Sequence, residues 1–255
     1  MVTYETAGVR ATITINDPER RNPLSTRTMA DLLEHTRSAQ ADPSVRVIVY
    51  TGAGERAFSA GGDLASGFVD DPLGLHGDRG VLADLFWAMW GGGKPTVARV
   101  NGHALAGGFG LAVACDITVC VDEAKLGTPE IDVGLWPMMI TVPLLRAMPA
   151  KVVLELMMTG RIVTPDKALR LGAVSRVVAR SELDGVVDEF VAVLSSKSAA
   201  VMRLGRGAFN TVTGMNLDTA FEYLQAGLTA VALTEDAREG VAAFIEKRPA
   251  VWTGQ

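Results

Sequence analysis

Cysteine is nearly absent. The 255 residues hold two, Cys115 and Cys120, both inside "ACDITVC". That excludes a disulfide-stapled scaffold and reads as two buried free thiols in a reducing compartment. Histidine is scarce and scattered, at His35, His76 and His103, with no metal-ligand spacing, so no metal site is expected. Basic residues form no dense block and the net charge is −5, which argues against a nucleic-acid-binding face. The short runs "ERR" at 19–21 and "EKR" at 246–248 read as solvated surface. No apolar run is long and unbroken enough to span a bilayer, so no membrane partner is expected. The opening "MVTYETAGVRATITI" lacks the charged start and apolar core of a signal peptide, so the expected location is cytoplasmic.

What is present is an ordinary globular balance, 48% hydrophobic and 21% charged. Residues 9–16, "VRATITIN", alternate and are β-branched, predicting a strand. "STRTMADLLEHTRSAQAD" has apolar residues at helical spacing behind Ser25 or Thr26 as N-cap. "VRVIVYTG" is a continuous apolar strand, buried on both faces. A glycine-rich loop, the helix "GVLADLFWAMW", the strand in "KPTVARVNG", a helix opening at "GGFGLAVACD" and the strand "DITVCVD" follow. The recurring strand, loop, helix order makes the first part an α/β core. From about residue 137 every segment reads helical, with starts at Thr164–Pro165 and Ser181–Glu182.

Two glycine turns carry chemistry. "AFSAGGDL" (57–64) and "HALAGGFG" (103–110) each lie after a strand and before a helix. Such turns leave backbone N–H groups without partners, and two of them converging on one point would hold an oxyanion. The second turn departs from G-x-G-x-x-G, which argues against a dinucleotide-dependent oxidoreductase. Glu130, in "LGTPEIDVGLWP", is a carboxylate in apolar company, where its pKa rises toward neutrality and suits proton transfer. Asp132 is a second acid on the same segment: extended backbone would point it the same way as Glu130, and a turn need not. His103 reads as a hydrogen-bonded strand-end residue and Trp87 and Trp90 as a core stripe.

In this order, "NDPERRNPLSTRTMADL", "VIVYTGAGERAFSAGGDL", "KPTVARVNGHALAGGFGLAVACDI", "LGTPEIDVGLWP", "LELMMTGRIVTPDKALRLGAVSRVV" and "EDAREGVAAFIEKRPAVW" resemble the crotonase superfamily, the enoyl-CoA hydratase/isomerase family. The resemblance covers nearly the whole chain. It implies a spiral of ββα units over residues 1–195 and a helical C-terminal trimerisation region over 196–255, assembled as a homotrimer or a dimer of trimers. It implies an acyl-CoA thioester as substrate, with no cofactor beyond the coenzyme A that the substrate carries. By the same resemblance Ala60 and Gly107 donate the oxyanion N–H groups and Glu130 moves a proton. The adenine lies near Ala57 and Ser59, Arg21 or Arg20 meets phosphate, and Phe244 and Lys247 reach the CoA of a neighbouring subunit. Asp63 caps the short helix after its loop.

One position departs from the pattern. Hydratases of the family carry a second glutamate three residues after the Gly107 position, where this chain has Gly110. A general acid or base contributes about 10² to 10⁴-fold. A lone carboxylate suits double-bond isomerisation better than hydration, and Gly110 reads as an empty space: either a longer or bulkier acyl group occupies it, or the chemistry needs no second acid. The alternative is a catalytically weak acyl-CoA-binding protein that assembles with other enzymes. The walls of the acyl pocket are expected from "ASGFVDDPLGLHGDRG" (65–80) and the helix after it.

Overall fold

A computed structural model describes residues 1–64, Leu73 and 76–255. Most of the expected pocket wall, residues 65–72 and 74–75, lies outside the described residues.

The chain opens with a hairpin. Strands β1 (Val2–Ala7) and β2 (Arg10–Ile15) pair antiparallel in the register Val2↔Ile15 to Ala7↔Arg10. The alternation over 9–16 predicts β2, whereas β1, whose burial fades from Val2 to an exposed end, carries no such alternation. Strand β3 (Pro23–Leu24) leads into helix α1 (Thr26–Ala41). Ser25 is its N-cap, with its Oγ accepting from Thr28 N at 3.1 Å. Helix α1 buries Leu32, Leu33 and Thr36, and the Thr36 hydroxyl meets Tyr50 Oη at 2.7 Å.

Next come β4 (Val47–Gly52), β5 (Ala57–Ser59), β6 (Gly61–Gly62) and α2 (His76–Gly91). Then β7 (Thr96–Val100), β8 (His103–Leu105) and α3 (Gly107–Ala114) repeat the order, and β9 (Ile117–Val121) and β10 (Leu126–Gly127) begin it again. In each repeat the first strand enters a six-stranded sheet, which with the later strand β12 (Arg176–Val178) has the order β1-β2-β4-β7-β9-β12, and the second enters a four-stranded sheet, which with the later strand β11 (Ile162–Val163) has the order β11-β10-β8-β5. This is the ββα spiral. Every residue of β4 is buried, as its unbroken apolar run requires of a central parallel strand.

The later part is helical but not wholly so. Helices α4 (Thr141–Ala147), α5 (Ala150–Thr159), α6 (Pro165–Leu171) and α7 (Leu183–Ser195) alternate with two short strands, β11 (Ile162–Val163) and β12 (Arg176–Val178). Strand β12 pairs parallel with β9 at the edge of the large sheet. Segments of two or three residues are too short to show a period, so sequence reading passes over them. Helix α7 packs Leu183, Val187 and Val191 into the core. Helices α8 (Ala199–Val212), α9 (Leu217–Ala232) and α10 (Glu235–Glu246) close the chain, and α9 has no buried residue.

Both thiols are buried and unpaired, as expected. The tryptophan pair divides: Trp90 is core, its indole N–H donating to Ala114 O at 2.9 Å, whereas Trp87 is 70% exposed. No helix among the described residues is long and apolar enough to cross a membrane.

Candidate active site

Sheet register brings the two glycine turns and Glu130 together. Leu105 at the end of β8 pairs with Gly127 at the end of β10, and Ala106 N donates to Gly127 O at 2.9 Å. Beyond that rung one strand runs into Gly107 and the other into Thr128, Pro129 and Glu130. On the opposite edge of β8, Ala104 pairs with Ser59 of β5, which delivers residues 60–62.

The turn into α3 is strained. Ala106 has φ 52° and ψ −130°, a conformation that costs about 1–3 kcal/mol for a non-glycine residue. Gly107 is the first residue of α3, so its N–H has no partner within the helix. Gly61 fits closely under this turn. Its φ is +89°, and a Cβ there would lie 2.5 Å from Ala106 Cβ. Only glycine meets both conditions.

Ala60 does not supply the second donor. Its N–H donates to Arg21 O at 2.9 Å and is consumed in holding the loop to the segment before β3. Gly62 is better placed. It stands opposite Leu24 in the parallel β3–β6 pair, and Leu24 O accepts from Asp63 N at 3.3 Å. A parallel ladder bonds alternate residues, so the Gly62 N–H, one residue earlier, points away from β3. Gly62 is exposed, and its nitrogen lies 3.9 Å from where a Cβ on Gly107 would stand.

Glu130 lies in a 3-10 helix, Pro129–Val133. It is partly buried, and its Oε2 is buried with no hydrogen-bond partner among the described residues. Burial pushes its pKa up to about 7, and a bond from its own backbone N–H pulls weakly the other way. The Thr128 hydroxyl, two residues before it, is also buried without a partner among the described residues. Asp132 does not stand beside Glu130. A 3-10 helix turns once in three residues, so a residue two positions on faces elsewhere. Asp132 is exposed, and its Oδ2 lies 2.9 Å from where a Cβ on Gly160 would be.

Gly110 leaves no empty space. A Cβ there would lie 2.1 Å from Ile140 Cγ2, so the isoleucine side chain already fills that volume. This corrects the expectation of room for an acyl group, and Ile140 is a residue that sequence reading missed.

Ala57 and Ser59 do not present a surface to a ligand. They are 2% and 0% exposed, and Ala57 O accepts from Asn22 Nδ2 at 2.8 Å. Ser59 Oγ accepts from Gly61 N at 3.2 Å, so both residues support the loop from beneath. Asp63 is buried and pairs with Arg20 at 2.6 Å. That engages Arg20, whereas Arg21 is exposed and makes no ion pair among the described residues. His103 Nδ1 accepts from Lys125 N at 3.1 Å, and its pKa is lowered by burial first, then by Lys125 and Arg21. Phe244 is 84% exposed and Lys247 ends α10 in a left-handed conformation, φ 54°. The main packing partners of α10 are α8 and α9, so the single chain does not bring this pair to Gly107 and Glu130.

A profile of the Enoyl-CoA hydratase/isomerase family matches residues 5–255. The carnitinyl-CoA dehydratase of Escherichia coli K12 is 36% identical over 253 residues, covering 95% of this chain and 94% of that protein. The crystal structure of an enoyl-CoA hydratase from Mycobacterium smegmatis superposes with TM-score 0.94 at 30% identity, covering 98% of each chain. Human enoyl coenzyme A hydratase domain-containing protein 3 superposes with TM-score 0.93 at 28% identity, covering 98% of this chain and 99% of that one.

Proposed function

The chain belongs to the enoyl-CoA hydratase/isomerase family, and on that premise we propose that it is an enzyme acting on an acyl-CoA thioester with Glu130 as its single proton carrier. The observation that carries this reading is the buried Glu130 Oε2, without a hydrogen-bond partner among the described residues, on the strand end that the β8–β10 pairing sets next to the Gly107 turn. The thioester oxygen sits on the Gly62 and Gly107 N–H groups, which take up negative charge as the enolate forms. Oriented donors of this kind are worth about 10² to 10³ in rate each. Ionised Glu130 removes a proton from Cα of a 3-enoyl thioester and returns it to Cγ. The double bond moves into conjugation and no water is consumed.

The names of relatives such as the carnitinyl-CoA dehydratase favour addition or loss of water. The residue at 110 favours isomerisation, because no second carboxylate stands there to hold a water. The same absence favours a second reading, an acyl-CoA-binding protein of low turnover. In both readings the coenzyme A belongs to the substrate. Arg21, as the unengaged cation of its pair, meets phosphate, and Phe244 and Lys247 of one subunit reach the CoA held by the next. The exposed apolar residues Phe221, Leu228 and Phe244 support assembly as a homotrimer or a dimer of trimers.

Assays of 3-enoyl-CoA isomerisation and 2-enoyl-CoA hydration test the proposal. Isomerisation that disappears in Glu130→Gln supports it. CoA binding without either rate supports the binding protein, and hydration outpacing isomerisation in the unaltered protein overturns the preference.

A further inference from the structure

Helix α3 and the segment that follows Glu130 meet at one point. Gly110 lies one turn beyond Gly107, and residues three apart on a helix share a face. A Cβ on Gly110 would stand 2.1 Å from Ile140 Cγ2 and 2.4 Å from Ile140 Cβ. The glycine and the isoleucine are therefore a fitted pair, in which residue 140 fills the volume that residue 110 gives up. Gly110 is buried and Ile140 is 2% exposed. Ile140 is fixed from behind, since its carbonyl accepts from Leu144 N at 3.1 Å where α4 begins. It lies on the segment that leads from the Glu130 turn into α4.

We propose that Ile140 is a specificity-determining residue: its side chain seals the Gly110 face of α3, so that the site holds one proton carrier and no positioned water. This rests on Glu130 being the proton carrier. Hydration adds OH to Cβ and H to Cα while the carbon–carbon double bond becomes single. The attacking water must be held by an acceptor and give up a proton as it bonds. A methyl group accepts nothing. Isomerisation breaks a C–H bond at Cα and forms one at Cγ, so it needs neither the water nor a second acceptor.

The test uses the full-length protein with Gly110→Glu, Ile140→Gly and the double substitution, since alanine at 140 would keep the Cβ that lies 2.4 Å from a Cβ at 110. Two readouts are kept separate: deuterium exchange at Cα of a 3-enoyl-CoA, and water addition to crotonyl-CoA. Exchange is expected in the unaltered protein and in Ile140→Gly. Hydration is expected to rise at least about 10-fold in the double variant over either single one, a fraction of what a general acid–base group supplies. Ile140 is not the determinant if Gly110→Glu alone hydrates as fast as the double variant. The same holds if the double variant exchanges normally with no gain in hydration. Absence of exchange in the unaltered protein overturns the role of Glu130 itself, and the proposal with it. Because glutamate at 110 tests the fold severely, Gly110→Ala is measured with and without Ile140→Gly, which removes both the Cγ2 and the Cβ that a side chain at 110 would meet. Its loss of thermal midpoint should be smaller in the Ile140→Gly background. Additive losses would show that the two positions do not share the volume, and would overturn the proposal.

Discussion

Glu130 ties stability and activity to one proton. Its folded pKa, about 7, lies above its unfolded value, so the folded chain binds more protons than the unfolded chain between the two. Its contribution to stability is full below about pH 4.5 and is lost as the pH rises through about 7. Glu130→Gln should therefore remove a fall in stability across that window and leave the protein more stable at pH 8. Chemical denaturation at pH 5 and pH 8 checks this, and an unchanged pH dependence would contradict the burial of the charge. As a base, Glu130 must be ionised, so kcat/KM should rise with pH with an apparent pKa near 7. Glu130→Gln should lower kcat by about 10² or more with little change in CoA affinity, because the carboxylate acts in the transition state. A second residue-scale expectation concerns Gly61. Alanine there meets a left-handed backbone and a Cβ 2.5 Å away, so Gly61→Ala should destabilise by more than about 1 kcal/mol in a denaturant titration.

At the scale of elements, strand register does what no single residue can. The β8–β10 rung at Leu105 and Gly127 sends Gly107 and Glu130 off adjacent strand ends. The β3–β6 pair turns one N–H inward and the next outward, which separates Gly62 from its neighbours. If Gly62 and Gly107 polarise the thioester, the carbonyl stretch of an isotope-labelled acyl-CoA should fall in frequency on binding. Infrared difference spectroscopy reads this directly, and an unshifted band would remove the oxyanion role from both turns.

At the scale of the molecule, the C-terminal helices show an unmet need for burial. Helix α9 buries nothing, while Phe221 and Leu228, one helical face apart by about two turns, are each 70% exposed. An exposed apolar face of this kind is what assembly with further copies of the chain would bury. We expect sedimentation to find trimers or hexamers, and Phe221→Asp with Leu228→Asp to shift the population to monomers. The thermal midpoint should then lose its dependence on protein concentration. If monomers already prevail at micromolar concentration, Phe244 and Lys247 cannot serve a neighbour's CoA.

Local chemistry was legible in the sequence wherever its cause lies within a few residues. The caps at Ser25 and Thr164, the two-sided burial of β4, the order of glycine turns and the apolar company of Glu130 all depend on neighbours in the chain. The order of motifs likewise identified the family and its spiral fold. Distant partners decided the rest. Ala60 reads like a free donor until the Arg21 carbonyl, brought up beside it by the β3–β6 pairing, takes its N–H. Asp132 can face with Glu130 or away from it until Pro129 opens a 3-10 turn rather than a strand and turns the acid toward Gly160. Gly110 reads like vacancy until Ile140 arrives from beyond the Glu130 turn. A glycine announces that a side chain is missing, but only packing between segments far apart in the chain decides whether that space is left to a ligand or filled by the protein itself.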